Sequence, residues 1–192
     1  MVRKLIKRTF FNIPKLLIIC LISIQIIAGQ DGTKACFLVG NTPLPKIVEN
    51  EIDKRKQPFE GIPDVIFEDL RYSEVDFQKG RGVSSVRFAL DNFKVSGTGE
   101  DLARFKKLHA VYGAMNAALR SKGGSNQTSL KALKGADFFI EFQLRILEGD
   151  INGRQGAQHK LQKVLKNCLG CTKEDRQDVL AIAKKNGFGA PA

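Results

Sequence analysis

The sequence predicts an α+β fold, a strongly curved antiparallel sheet packed on helices with a C-terminal helical hairpin. Three observations predict it. Apolar residues alternate with polar ones at Val75 and Phe77, at Val86, Phe88 and Leu90, and at Phe138, Ile140, Phe142, Leu144 and Ile146. A period of two puts alternate side chains on one face of a strand. The apolar set then changes parity at Asp91-Asn92, so that Phe93 and Val95 continue it. A one-residue slip reverses the face, and a bulge or sharp bend absorbs it, as happens in strongly curved sheets. After Arg154 the apolar spacing changes to three and four, the period of amphipathic helices.

Residues 1–29 stand apart. Arg3, Lys4, Lys7, Arg8 and Lys15 form a basic head, Leu16 to Ala28 is apolar apart from Ser23 and Gln25, and Ala28-Gly29 supplies small residues before Gln30. That is the order of a secretory signal peptide, with the mature chain starting at or near Gln30. The apolar run is shorter than the ~20 residues of a membrane span; an uncleaved anchor is the alternative. Hydrophobic residues make up 43% of the 192 and charged ones 27%, which suits one globular domain. The leader holds five basic and no acidic residues, so the net charge of +11 falls to +6 without it.

In chain order, Gln30 to Pro45 is irregular. Lys46 to Lys56 reads as a helix with Ile47, Val48 and Ile52 on one face, stopped by Pro58. Gly61-Ile62-Pro63 breaks the chain before the first strand, and Lys79-Gly80-Arg81-Gly82 is a turn, since glycine carries no penalty on positive φ. The second strand runs through the parity change to Gly97. Asp101 to Arg120 is a helix, with Leu102, Phe105, Leu108, Tyr112, Met115 and Leu119 three or four apart. Lys122 to Ser129 is a polar loop, Phe138 to Leu147 a strand, and Gly149, Asn152 and Gly153 turn the chain. Ala157 to Asn167 is a helix carrying Leu161, Val164, Leu165 and Cys168 on one face, ended by Gly170. Thr172 caps a second helix that runs to Lys185, with Asn186-Gly187 at its end.

Gly61-Ile62-Pro63, Val75-Asp76-Phe77, Gly80-Arg81-Gly82, Lys94-Val95-Ser96-Gly97 and the stretch from Phe142 to Asp150 followed by Asn152-Gly153 occur in an order that resembles the takeout and haemolymph juvenile-hormone-binding proteins, secreted insect carriers of apolar ligands. The resemblance covers roughly Pro45 to Arg154, with a gap over the Asp101–Arg120 helix, and stops there. It implies an incomplete takeout-like lipid-binding domain over 30–155, with 156–192 as a divergent or truncated C-terminal hairpin. It also implies a sheet curled around a long helix, whose concave face lines an elongated cavity. Val86, Phe88, Leu90, Phe138, Ile140, Phe142, Leu144 and Ile146 would line that cavity. Periodicity alone fits a solid core of the same side chains. Asn167 to Thr172 is weakly similar to the end of insect chemosensory proteins, another set of small carriers.

Cys20 leaves with the leader, so Cys36, Cys168 and Cys171 are the disulfide candidates in an oxidising compartment. The resembling family has a cysteine pair near its mature N-terminus, where this chain has Cys36 alone. Cys168 and Cys171 pair with each other, or one of them pairs with Cys36. A redox-active Cys-x-x-Cys wants its first thiol at a helix start, and here it follows a helix, so a structural bridge is favoured. Asn126-Gln127-Thr128 is a candidate glycosylation site at Asn126. His109 and His159 lack metal-ligand spacing to the cysteines. No nucleophile motif, phosphate loop or carboxylate pair points to an enzyme, a metal or a cofactor. Basic and aromatic residues are not interleaved in one patch, so nucleic acid is not an expected partner.

The expected function is therefore a secreted, extracellular carrier of a hydrophobic small molecule, a terpenoid hormone, fatty acid or similar lipid. One alternative is a cationic host-defence or membrane-surface lipid-binding protein, whose partner is an anionic membrane surface. The other is a secreted interaction protein without a ligand.

Overall fold

Helices dominate the architecture. The computed structural model describes residues 51–122 and 127–189, all within one compact unit, Ala35–Ala192. The leader, Cys36, the start of the Lys46–Lys56 segment and Asn126 lie outside the described residues. The elements are β1 (Glu51–Asp53), β2 (Asp64–Phe67), β3 (Leu70–Arg71), α1 (Tyr72–Val75), a 3-10 turn (Phe77–Lys79), α2 (Ser85–Asn92), α3 (Asp101–Lys122), α4 (Gln127–Leu147), α5 (Ala157–Lys166) and α6 (Lys173–Lys185).

The strongly curved sheet is absent among the described residues. What sheet there is has three short antiparallel strands in the order β1-β2-β3, with Ile52 opposite Val65 and Ile66 opposite Arg71. Glu68 and Asp69 turn the chain from β2 to β3, Glu68 at φ +54°. Lys107 of α3 clamps that turn, its ammonium 3.0 Å from Glu68 and 2.5 Å from Asp69.

Each predicted strand is helical or turn instead. Val75 ends α1 and Phe77 opens the 3-10 turn. Val86, Phe88 and Leu90 lie on α2, whose start is set by Ser84; its Oγ accepts from Arg87 N at 2.9 Å, as an N-cap should. The residues that alternate also satisfy a helical period, since Val86, Ala89, Leu90 and Phe93 are all buried. Phe138 to Leu147 is the second half of α4, a 21-residue helix. Advancing about 100° per residue, Phe138, Phe142 and Ile146 fall on one side of it and Ile140 and Leu144 on the opposite side. The polar loop ends sooner than expected, because Gln127 already belongs to α4. The segment expected to be helical up to Lys56 contains β1.

Three expected helices are present: α3, α5 and α6. A capping box fixes the start of α6, with Thr172 Oγ1 accepting from Asp175 N at 3.1 Å and Asp175 Oδ2 accepting from Thr172 N at 3.0 Å. The same Asp175 oxygen accepts from Ser84 Oγ at 3.0 Å, so the starts of α2 and α6 are tied together. Gly170, at φ +72°, makes the turn between α5 and α6, and Cys168 and Cys171 close it with a disulfide.

α3 and α5 both pack along α4, and α2 crosses α4 where the two backbones come close. Gly135 permits that crossing: a Cβ there would sit 2.6 Å from Ser85 Oγ and 3.2 Å from Asn167 O. Ser85 Oγ donates to Ala132 O at 2.6 Å across the same contact. A chain of rings, Phe59, Tyr72, Tyr112, Phe93 and Phe88, runs from the sheet side through α3 to α2, with centroids 5.2 to 5.9 Å apart. α5 and α6 contribute Leu161, Val164, Cys168, Val179 and Ala183 to the same core. Among the described residues no helix is long and apolar enough to cross a membrane.

Candidate functional site

The eight expected cavity residues separate in the fold. Val86, Phe88, Ile140, Phe142 and Leu144 are buried in the common core, and Phe138 is half-buried against it. Phe142 packs between Phe139 and Phe188, with ring centroids 6.3 and 6.1 Å away. Leu90 and Ile146 border an open cleft among the described residues.

That cleft has a volume of about 410 Å³ and is bounded by α2, the 94–97 loop, α4 and the end of α6. Leu90, Phe139, Ile146 and Ile182 give it an apolar floor, Val95 stands exposed at its edge, and Lys94, Lys185 and Asn186 rim it. Gln143 also lines it. This side chain is only 4% exposed, yet among the described residues its amide has no hydrogen-bond partner. Neither lysine is within ion-pair distance of a carboxylate among the described residues. Asp91, which feels Lys94, is itself held by Arg87 at 2.5 Å.

The 94–97 wall is positioned by Asp101 at the start of α3. Its carboxylate accepts from Ser96 Oγ at 2.9 Å, Gly97 N at 2.7 Å and Arg104 Nη2 at 3.1 Å. Burial alone would raise this carboxyl; the hydrogen bonds outweigh it and hold the group well below the usual carboxylate range.

Two other clefts are lined by groups already engaged with each other. One, of about 590 Å³, lies between β3, α1 and α3 over Leu70, Val75, Phe93 and Leu108. Its rim cations are committed, Lys107 to Glu68 and Asp69, Arg104 to Asp101. A third, beside β1 and β2, is rimmed by Asp53, Arg55 and Arg71, which pair among themselves.

A buried polar cluster sits where α3, α4 and α5 meet. Asn116 Nδ2 donates to Asp137 Oδ2 at 2.7 Å, while Asp137 Oδ1 and Asn116 Oδ1 lack partners. Burial, and then the charge of Glu141, push the Asp137 carboxyl up to about 7. A protonated Asp137 can donate from Oδ1, the donor that the unpaired Asn116 oxygen lacks. Lys160 of α5 meets Glu141 at 2.5 Å, an ion pair whose side chains are 10% and 15% exposed. His109 lies 3.9 Å from Glu141, and burial lowers its pKa. Among the described residues no group of three or more His, Cys, Asp and Glu side chains could hold a metal ion.

The sequence named Leu90 and Ile146 but not Phe139, Gln143, Ile182, Lys94 or Lys185, which come from three separate segments. The sequence signal for Asp137 is a single acid inside the apolar run from Ala136 to Ile140, on a helical face with Leu133, Ile140 and Leu144.

No curated protein and no solved structure matches the chain, and none of the comparisons names the takeout or juvenile-hormone-binding proteins. Residues 38–187 do match a family model, that of the domain of unknown function DUF7143, and over most of its length the chain belongs to that family.

Proposed function

We propose that this domain is a secreted carrier of a hydrophobic small molecule, held in a surface cleft instead of an internal tube. One observation supports it above the others. The cleft over Leu90, Phe139, Ile146 and Ile182, at about 410 Å³, has the size and the apolar lining of small-molecule sites, which run from ~300 to ~1,000 Å³. The disulfide between Cys168 and Cys171 is consistent with an oxidising compartment. The expected elongated cavity has no counterpart in the curved sheet that was to form it, because that sheet is replaced by helices.

The test is titration of the purified full chain with N-phenylnaphthylamine, a neutral apolar fluorophore, against the variants Ile146→Gln and Ile182→Gln. Both positions are half-buried, so circular dichroism should show the folds intact. Each variant should weaken binding about tenfold, the equivalent of ~1.4 kcal/mol of lost apolar contact. Absence of binding by the unaltered chain, or binding indifferent to both substitutions, would remove the carrier reading.

A further inference from the structure

We propose that the cleft between α2, α4 and α6 takes an anionic amphiphile, a carboxylate on an aliphatic or isoprenoid tail, with its headgroup between Lys94, Lys185 and the amide of Gln143. This rests on the carrier reading and specifies its ligand.

The inference starts from Gln143. An amide offers two donors and an acceptor. Gln143 is 4% exposed, lines the cleft and has no partner among the described residues. A structural role does not account for it. It sits on α4 between Phe142 and Leu144, both buried, and its amide atoms, which no described residue engages, are not sealed from the cleft. What the position offers is a donor facing the cleft.

Charge selects the ligand's sign. Two lysines line the cleft and no carboxylate does. The acids bordering this region are taken up elsewhere, Asp91 by Arg87 and Asp101 by Ser96, Gly97 and Arg104. Lys185 also complements the negative end of the α6 dipole, but Lys184 stands on the same last turn and can do that alone. An ammonium beside a carboxylate forms a charge-assisted hydrogen bond, about twice as strong as a neutral one. Leu90, Phe139, Ile146 and Ile182 then supply the surface for the tail. The larger cleft over Leu70 and Phe93 lacks this combination, since its cations are already paired.

The experiment is competition against a dansyl-labelled fatty acid bound to the purified full chain, using dodecanoate, dodecanol and acetate. Dodecanoate should compete about tenfold better than dodecanol, in line with one or two charge-assisted bonds, and acetate should not compete. Lys185→Ala and Lys94→Ala change exposed residues and should leave the fold intact. Each should cut the preference for dodecanoate several-fold without altering dodecanol. Gln143→Met, which keeps length and packing, should do the same. Equal competition by dodecanoate and dodecanol overturns the headgroup assignment while leaving an apolar carrier standing. Failure of both to compete, with no probe bound, overturns both. Binding only to phosphatidylglycerol vesicles and not to monomeric dodecanoate overturns the proposal in favour of a membrane surface.

Discussion

Asp137 and Gln143 lie six residues apart on α4, and each is 4% exposed. One faces α3 and α5, where Asn116 donates to it at 2.7 Å. The other faces the cleft between α2 and α6 and has no partner among the described residues. Equal burial thus hides opposite situations. On the α3 side a polar group is sealed into the core with an amide and, once protonated, can complete a paired acid–amide contact. On the α2 side a polar group is held beside two lysines that no carboxylate of the described residues pairs with, and beside an apolar floor. Burial identifies neither as functional; the presence or absence of a partner separates them.

The largest expected effect tests whether the apolar part of α4 between these two sites is solid. Phe142 is fully buried and packed against Phe139 and Phe188. Phe142→Ala should cost roughly 3–5 kcal/mol, the usual loss for a large side chain removed from a core that cannot collapse. Denaturant unfolding measures it. A loss below ~1 kcal/mol would mean that Phe142 borders open space, and the contrast between a sealed face and an open one would disappear.

The course of α4 shows why its two sides were hard to read from the sequence. The helices α5 and α6 have one polar side and recognisable ends, such as the Thr172 capping box, so their periodicity was legible; α3 is buried nearly all round from Ala110 to Leu119, and only the three-and-four spacing of its large apolar residues marks it. In the second half of α4, Phe138, Phe139, Ile140, Phe142, Leu144, Ile146 and Leu147 are apolar nearly all round, because neighbours cover it on several sides. A helix buried in that way contains period-two subsets by chance. Length was the better guide: no proline interrupts the run from Gln127 to Leu147, which is long for a strand. In α2 both periods coexist, and the Ser84 cap decides between them. β2 and β3 were missed because strands of four and two residues carry too little pattern. Of the cleft, only Leu90 and Ile146 were named. The alternation puts Gln143 on the polar side of a strand, and Lys94 and Lys185 reach the same place only through the packing of α2 and α6 on α4.

The second prediction concerns the acid. The Asp137 carboxyl is raised to about 7 in the fold, against about 3.9 in an unfolded chain. Between those values the folded state keeps a proton that the unfolded state has lost. The stability it contributes is full below about pH 4 and is lost as pH rises towards 7. Asn116 and Arg120 from α3, Glu141 on α4 and Lys160 from α5 act on this group; Asp137 in turn acts on Tyr72 and Tyr112. His109 acts in the opposite sense. Burial lowers its folded pKa, so its contribution is present above about 6.5, its unfolded value, and is lost as pH falls. Comparison with Asp137→Asn separates the two, since the variant retains His109. Relative to the unaltered chain, the variant should gain stability between about pH 5 and pH 8 in urea unfolding. A difference that does not vary with pH would show that Asp137 is already ionised in the fold.

Removing its partner should have a smaller effect. Asn116→Leu keeps the volume and leaves the protonated Asp137 buried without an amide. The cost should be ~1–3 kcal/mol, the penalty of an unsatisfied buried group. A double substitution, Asn116→Leu with Asp137→Leu, should recover much of it, because replacing both partners of a buried pair is far less costly than replacing one. If the two single losses simply add, the pair is not coupled.

The smallest expected change is the most discriminating. Gln143→Met removes a buried amide that has no partner among the described residues and retains an unbranched side chain of similar length. In the unliganded protein no hydrogen bond to the described residues is lost, and the amide atoms that are replaced are not sealed from the cleft. Stability should therefore stay within about 0.5 kcal/mol or rise slightly, whereas Asn116→Leu falls. Thermal or urea unfolding of the two variants side by side provides the comparison. A loss of ~1–3 kcal/mol for Gln143→Met would mean that its amide is satisfied in solution, by water or by the chain. The contrast with Asp137 would then vanish, along with the reason for reading Gln143 as a group that waits for a ligand.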